Sequence, residues 1–264
     1  MERERIDGFI EQHKEEAILL LQELGKIPAP SHKEDRRAAF CKKWFKEKGC
    51  REVRIDGAKN VICMFNCDQY EDMVVLMAHT DVVFDDMEEL PVRRQDNILM
   101  APGIGDDTAN LVNLMMGAAF LAEHQDQLAA GILIVANSCE EGLGNLKGCR
   151  EIFNQYGNRI RAFYSFDGYM SMCTSIPVGS HRYRIQVLAR GGHSYQDFGR
   201  DNAIHIAAQI IDALYRISPP KTSVTTYNVG KINGGTTVNS IAQEAVILYE
   251  YLSAGDEGKV LCGH

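Results

Sequence analysis

The stretch Val74-Val-Leu-Met-Ala-His-Thr-Asp-Val-Val-Phe84 decides the fold, because it predicts a buried strand that ends in polar residues. Continuous apolar runs are typical of strands in parallel sheets that are covered on both faces. His79 and Asp81 stand at the C-terminal end of this run, which is where open α/β sheets bind ligands. A histidine two residues from an aspartate suits a metal ligand beside a carboxylate that fixes its ring. The alternative is a surface loop that contains both residues.

Three further stretches carry acidic residues in the same way, at residues 103–108, 132–142 and 162–168. The acidic residues are Asp106, Asp107, Glu140, Glu141 and Asp167. Each stretch alone has a plain alternative, namely helix capping, a solvated loop or an Asp-Gly turn. If the strands share one sheet, however, these carboxylates meet at one edge and repel each other unless a cation is present. Histidine and carboxylates without thiolates suit zinc, manganese or cobalt.

The rest of the first 170 residues alternates helices with strands. Apolar spacing predicts helices at 5–24, 31–49, 108–124 and 144–156, and strands at 53–55, 61–65, 73–77, 132–136 and 160–166. Ser31 and Glu34 have the spacing of a capping box at the start of the second helix. The alternation predicts an α/β fold with a mostly parallel sheet covered by helices.

The pattern changes near residues 177–180, where a strand, a helix and two further strands follow one another. This order predicts a small α+β layer. We therefore expect two domains, residues 1–178 and residues 179–264.

Composition excludes several classes of protein. The 264 residues are 45% hydrophobic and carry a net charge of −8, which argues against a nucleic-acid partner. The charged N-terminus has no apolar core of a signal peptide, and no apolar stretch is long enough for a membrane span. The eight cysteines form no Cys-x-x-Cys pair and are expected to be free thiols. We expect a cytoplasmic protein.

The ordered set of motifs resembles the M20 family of metallopeptidases and deacylases over about residues 10–250. That family includes tripeptide aminopeptidases, acetylornithine deacetylases, succinyl-diaminopimelate desuccinylases and glutamate carboxypeptidases. The matching motifs are Ala78-His-Thr-Asp81, Gly105-Asp-Asp107, Glu140-Glu-Gly142, Phe166-Asp-Gly168, Gly191-Gly-His-Ser194 and Gly234-Gly-Thr-Thr-Val-Asn239. The resemblance implies that residues 1–178 form a metal-binding catalytic domain and residues 179–264 a lid that dimerises.

The resemblance also implies a role for each matching residue. Four would be metal ligands, with Asp106 bridging two ions: His79, Asp106, Glu141 and Asp167. Asp81 would orient the first of these, and Glu140 would be the general base and acid. His193 and Asn239 of the lid would contact the substrate, often across the dimer. The alternative for His193 is a turn histidine that caps a loop.

The implied reaction is hydrolysis of an amide bond in a short peptide or an N-acyl amino acid by a metal-activated water. The implied cofactor is one or two divalent ions per chain, zinc first, with manganese or cobalt as alternatives. The implied partners are this small substrate and a second copy of the chain that pairs through the lid.

Two departures from the family pattern lead to an alternative function. The family's late histidine ligand has no counterpart except His264, and Leu252 stands where many relatives have an arginine that recognises a substrate carboxylate. Residues 254–264 match nothing in the family and read like the product of a frameshift or a truncated gene. We therefore expect one tight and one weak metal site. The alternative function is a catalytically inactive, truncated relative that only binds metal or dimerises.

Overall fold

The computed structural model describes residues 3–85, 87–169, 173–174, 178–221 and 224–254. The chain divides into two units, Met1–Met170 and Ser171–His264. The roles expected for residues 1–178 and 179–264 stay predictions. Residues 255–264, which include His264, lie outside the described residues.

Unit 1 contains four α-helices and seven strands among its described residues. The helices are α1 (Arg3–Lys26), α2 (Asp35–Glu47), α3 (Ala109–Glu123) and α4 (Lys147–Tyr156). The strands are β1 (Glu52–Ile55), β2 (Val61–Phe65), β3 (Met73–His79), β4 (Arg93–Gln95), β5 (Ile98–Met100), β6 (Gly131–Asn137) and β7 (Ile160–Ser165). β4 and β5 form a separate hairpin.

The other five strands form one sheet in the order β1-β2-β6-β3-β7. β3 is parallel to both of its neighbours, whereas β2 is antiparallel to both of its own. Four of the five strands consequently run in the same direction. The predicted α/β fold with a mostly parallel sheet is confirmed.

The central strands are apolar throughout because both faces of the sheet are covered. Along β6, Ile134 joins a cluster with residues of α1, α2 and α3, such as Phe45. Its neighbours Leu133 and Val135 join a second cluster on the opposite face, where Ile152 of α4 packs. Successive side chains of a strand point to opposite faces, so a strand buried on both sides has no place for polar residues.

The start of α2 differs from the prediction. The helix begins at Asp35, and the preceding Glu34 makes no side-chain capping bond. The capping box predicted from Ser31 and Glu34 is therefore wrong. Ser31 Oγ instead donates to Asp81 Oδ2 at 2.7 Å, and the Glu34 carboxylate is fully buried.

Unit 2 contains β8 (Gly179–Leu188), β9 (Gly192–His193), α5 (Ala203–Tyr215), β10 (Thr225–Gly234), β11 (Ser240–Ile241) and β12 (Glu244–Ser253). β10, β12 and β8 form an antiparallel sheet in that order, and β9 pairs with β11. α5 covers one face of the sheet through Ala203 and Ala207, which pack with Val187 and Ile247. The predicted small α+β layer is confirmed. Within the described ranges, no helix has the length and apolar content that crossing a bilayer requires.

Candidate metal centre

The last residue of β3, His79, lies at the middle of the candidate site. Its side chain is only 2% exposed, and its Nε2 atom lies 3.1 Å from Asp106 Oδ1 and 4.0 Å from Glu140 Oε2. Its backbone N–H donates to Asp107 Oδ2 at 2.9 Å. The imidazole is thus surrounded by carboxylates from two different loops.

The sheet register explains why these loops meet. His79 lies beside Asn137 of β6, and Met77 lies beside Ser165 of β7, in parallel pairings. The three strands end at the same edge, so the residues that follow them project from that edge. Glu140 and Asp167 come within three residues of these strand ends.

Five of the predicted residues form two groups of three metal-binding side chains. The groups are His79 with Glu140 and Asp167, and His79 with Asp106 and Glu141. Within each group the ligand atoms lie within 4.8 Å of one another. His79 belongs to both groups, and Glu140, expected as the base, lies among the possible ligands. The individual roles stay predictions.

The crowding of negative charge shifts the acidity of the whole cluster. Burial raises the pKa of Glu140 to about 7, with the charges of Glu141 and Asp167 adding to the effect and His79 opposing it. Burial and the charge of Asp106 also raise the pKa of Glu141. The charge of His79 therefore offsets the effect of burial on these two carboxylates only in part.

His79 is the source of positive charge among the described side chains that form the two groups of possible metal ligands. Burial acts to lower its pKa, but the neighbouring carboxylates, led by Asp106 and Asp81, prevail and raise it to about 11. The bond from His79 in turn lowers the pKa of Asp106. Without a metal ion, a protonated imidazole would neutralise part of the cluster, and metal binding would require that this proton leave.

The donor set fits a divalent cation. One imidazole and four carboxylates converge, and the raised pKa values mark a position where a cation would be stabilised. Nitrogen and carboxylate oxygen ligands suit zinc and manganese. The residues support a divalent metal at this edge of the sheet, while its identity stays open between these ions.

Asp81, expected to orient His79, makes closer contacts elsewhere. His79 Nδ1 lies 2.9 Å from the Asp81 backbone oxygen and 3.5 Å from the carboxylate. The carboxylate accepts the backbone N–H groups of Glu140 and Glu141, each at 3.0 Å. Burial acts to raise the pKa of Asp81, but bonds from His79, Ser31 and the Glu140 N–H together lower it. Asp81 therefore joins the histidine strand to the loop after β6.

Asp107 is an additional residue of the site for which the sequence analysis proposed no role. Its Oδ1 accepts from Asn110 Nδ2 at 2.7 Å, and the same Asn110 nitrogen donates to the backbone oxygen of Gly168 at 3.1 Å. Burial raises the pKa of Asp107 to about 7, although His79 opposes this effect. Asp107 and Asn110 thus connect the strand of His79 to the loop of Asp167. Its position beside Asp106 in the quoted motif was the available signal.

Residues 138–141, which we call the 138–141 loop, are held by three other residues that sequence reasoning missed. Glu34 and Asn60 accept backbone N–H groups of this loop, and Ser31 binds the Asp81 carboxylate. The spacing of Ser31 and Glu34 indicated a helix cap, so the signal was present but was interpreted differently. Asn60 had no signal, because its partner lies 78 positions away in sequence.

The two predicted substrate contacts lie next to each other in unit 2. His193 pairs with Ser240 across β9 and β11, and Ser194 N–H donates to the Asn239 backbone oxygen at 3.0 Å. His193 Nδ1 accepts the Tyr195 N–H at 3.2 Å, so a neutral ring carries its proton on Nε2. This bond also matches the alternative of a loop-capping histidine. Their substrate contacts stay predictions.

Leu252 lies within β12, where it pairs with Ser180 on one side and Thr226 on the other. Its half-buried apolar side chain offers no hydrogen bond to a carboxylate. The expectation that Leu252 stands in the place of a carboxylate-binding arginine stays a prediction.

Comparison with known proteins shows similarity along most of the chain. Residues 60–209 match peptidase family M28, and residues 178–258 match the peptidase dimerisation domain of the M20 type. The expectation that residues 254–264 match nothing in the family is therefore wrong for residues 254–258. N-acetyl-L-cysteine deacetylase of Bacillus subtilis is 27% identical over 253 residues, which cover 89% of this chain and 58% of that protein. The chain therefore spans less than two thirds of the length of this relative.

Solved structures share the fold. A tripeptidase from Staphylococcus aureus aligns with a TM-score of 0.63 and 22% identity, over 93% of this chain and 68% of the other. A dinuclear metal-binding peptidase of the M20 family from Bacillus subtilis aligns with a TM-score of 0.57 and 15% identity, over 96% of this chain and 67% of the other.

Proposed function

Because the chain belongs to peptidase family M28, which it matches over more than half its length, and to the M20 type of metallopeptidases, we propose that it hydrolyses an amide bond with a divalent metal. The M20 resemblance inferred from the ordered motifs is confirmed. The match to family M28 adds a family that those motifs did not indicate. Metal-dependent amide hydrolysis in general is supported; the substrate and the mechanism below are our proposals.

The observation that carries the proposal is the pair of three-residue groups around His79. We assign His79, Asp106, Glu141 and Asp167 as the metal ligands, holding one or two ions per chain. Zinc is our first choice, and manganese and cobalt are alternatives. Bound there, a divalent ion would supply Lewis acidity that polarises an amide carbonyl and makes water a better nucleophile.

Glu140 moves the protons in the proposed reaction. Its carboxylate takes a proton from the attacking water, and the resulting carboxylic acid gives that proton to the nitrogen of the leaving amine. Without a metal ion, burial raises its pKa to about 7, so this side chain can hold a proton near neutral pH. Such proton transfer typically contributes about 10²- to 10⁴-fold to the rate.

Asp81 acts as a positioning residue in this proposal. Its two carboxylate oxygens accept the N–H groups of Glu140 and Glu141, so the base and a ligand keep a fixed spacing. His79 is fixed from the opposite side, because its backbone N–H is bound by Asp107. Fixed geometry of this kind is a large part of how enzymes lower reaction barriers.

We propose that His193 and Asn239 bind the substrate and that unit 2 mediates a homodimer. The match to a dimerisation domain supports an oligomer, and a neutral His193 would offer its Nε2–H to a carbonyl oxygen. We further propose a cytoplasmic location.

We propose a short peptide or an N-acyl amino acid as the substrate. The relatives support both classes, since one is named as a deacetylase of N-acetyl-L-cysteine and another as a tripeptidase. The scissile bond is an amide in both cases, so the same proton transfers by Glu140 serve either substrate.

The test is a substrate panel run on the full chain with added zinc, manganese or cobalt. N-acetyl amino acids, including N-acetyl-cysteine, and di- and tripeptides are compared between the native protein and Glu140→Gln. We expect turnover of at least one class, lost by about 10²-fold or more in the variant. Equal rates for both proteins would overturn the proposal. Metal binding without any turnover would favour the alternative of an inactive metal-binding module.

A further inference from the structure

We propose that Glu34, which the sequence places at a helix start, is a positioning residue for the metal centre and the proposed hydrolysis. Its buried carboxylate holds the backbone that carries Glu140 and Glu141. The expected effect of Glu34 on kcat rests on the proposed function. Its expected effects on metal binding and on the loop do not depend on turnover. Glu34 belongs to neither three-residue group.

The 138–141 loop is unusual because side chains bind all four of its consecutive backbone N–H groups. The bonds are Ser138 N to Asn60 Oδ1, Cys139 N to Glu34 Oε1, Glu140 N to Asp81 Oδ1 and Glu141 N to Asp81 Oδ2, each at 3.0 Å. The acceptors come from three separate segments of unit 1. Buried backbone groups outside regular structure need such partners.

The carbonyl groups of the same loop are bound by the start of α4. Lys147 N–H donates to the Cys139 oxygen at 3.2 Å, and Gly148 N–H donates to the Ser138 oxygen at 3.1 Å. The loop is therefore clamped on both sides, by side chains at its N–H groups and by helix amides at its carbonyls. Removing one acceptor releases the loop on one side only.

Glu34 binds at the point where the loop leaves regular geometry. Cys139 has a φ of +53°, a left-handed conformation that non-glycine residues adopt at a cost unless their surroundings hold them there. Glu34 Oε1 accepts both the Cys139 N–H at 3.0 Å and the Cys139 thiol at 3.1 Å. The turn at Cys139 aims the next two residues at His79, so a shift here moves both Glu140 and Glu141.

The burial of Glu34 supports a positioning role. The residue is 0% exposed, and the same Oε1 also accepts the His32 N–H at 2.9 Å. Burying a carboxylate is unfavourable unless hydrogen bonds compensate for lost water. Here all three donors bind Oε1, whereas the buried Oε2 has no hydrogen-bond partner among the described residues. The donors belong to the segment before α2 and to the 138–141 loop, so Oε1 joins these two segments directly.

The experiment compares Glu34→Met, which removes the acceptor, with Glu34→Gln, which keeps an oxygen at the same place. Amide hydrogen exchange of residues 138–141, zinc affinity by calorimetry and, with an active substrate, kcat and KM are measured. For Glu34→Met we expect exchange about tenfold faster. Zinc affinity and kcat should fall about 10- to 100-fold with little change in KM. Glu34→Gln should stay close to the native protein in all of these.

Asn66→Ala is the matched control. Asn66 is also buried and donates its side-chain N–H to the Gln125 backbone oxygen at 2.9 Å. Asn66 follows β2, and the last residue of β2 pairs with Ile132 near the start of β6. Asn66 therefore lies at the edge of the sheet opposite to the candidate metal centre. This variant should lose stability but leave the exchange of residues 138–141 and the zinc affinity unchanged.

A folded Glu34→Met protein with native exchange and native zinc affinity would overturn the inference. If Glu34→Met does not fold, Glu34→Asp takes its place, because it keeps the charge but draws the oxygen back by one methylene. It must then show the same losses, and native values would again contradict the inference. If the native protein turns over no substrate, the proposed function fails, whereas exchange and zinc affinity still decide the role of Glu34.

Discussion

At the scale of single residues, His79 carries more of the site than any carboxylate. Its imidazole belongs to both groups of possible ligands, whereas Asp106 and Asp167 each belong to one. The ring is buried, and an oxygen atom lies close to each of its nitrogens. The Asp81 backbone oxygen lies next to Nδ1, and Asp106 Oδ1 lies next to Nε2. Loss of this one ring would therefore affect both groups together.

This difference gives a prediction about metal content. His79→Ala should bind almost no zinc after gel filtration, while Asp106→Ala and Asp167→Ala should each keep part of the native content. The reason is that each carboxylate variant keeps His79 and two of the three assigned carboxylate ligands. Elemental analysis of the purified proteins measures the outcome, with His124→Ala, a half-buried histidine at the end of α3, as the control. Native zinc content in His79→Ala would contradict the assignment.

The burial of charged residues is an example of a feature that the local sequence does not predict. Arg37 is fully buried and donates to the backbone oxygens of Leu24 and Ile27 at the end of α1 and of Thr80 after β3. Burial lowers its pKa to about 10, although the charges of Cys41 and Asp81 oppose this effect. A charged residue in a helix normally predicts an exposed position. The partners that make burial possible are backbone oxygens between 10 and 43 positions away, which only the fold brings close, so the pattern around Arg37 does not reveal them.

At the scale of elements, the hydrogen bonds between α4 and the 138–141 loop depend on a close approach of their backbones. A Cβ atom at Gly148 would overlap Asn60 Oδ1 and the backbone of Ser138. Glycine at this position lets the first turn of α4 bind the loop carbonyls. In contrast, Gly117 lies in the middle of α3 with open space where a Cβ would stand.

A pair of glycine variants tests this dependence. Gly148→Ala should destabilise the protein by about 1–3 kcal/mol, because the added methyl group displaces the loop. Gly117→Ala should stabilise it by roughly 0.5–1 kcal/mol, since alanine favours an exposed helix position. Urea denaturation gives both free energies of unfolding. If both substitutions changed the free energy of unfolding by the same amount, the need for a close approach of α4 to the loop at Gly148 would be contradicted.

Most element positions could be predicted from apolar spacing, and one of the exceptions is informative. The strand predicted at 61–65 is observed at those residues, and the helix predicted at 108–124 spans Ala109–Glu123. The start of α2 was wrong because Ser31 and Glu34 fit a local capping pattern but bind Asp81 and Cys139 instead. A local pattern cannot distinguish these uses, since the competing partners are brought close only by the fold.

At the scale of the whole molecule, the candidate site could be inferred because parallel strands end at one edge. The motifs of His79, Glu140 and Asp167 each follow an apolar strand, and strand direction alone brings them together. The detailed contacts could not be inferred, because they depend on loop conformations. Asp81 is an example, since its carboxylate lies nearer to the amides of the 138–141 loop than to the imidazole of His79.

The same convergence predicts that a metal stabilises the native state. Zinc at 100 times its dissociation constant should add about 2.7 kcal/mol of stability to the folded protein. Removal of the ion by a chelator should then lower Tm by roughly 5–10 °C in calorimetry. His79→Ala, which lacks the shared ligand, should show no response to zinc or to the chelator. An unchanged Tm for the native protein would argue against a metal that bridges these loops.

The central claim is that the strand ends of unit 1 form one divalent-metal site around His79. Anomalous diffraction at the zinc edge, on crystals grown with zinc, tests it most directly. We expect a peak bonded to His79 Nε2 and to at least two of the three assigned carboxylates, Asp106, Glu141 and Asp167. Strong zinc peaks elsewhere on the protein, with none at His79, would contradict it.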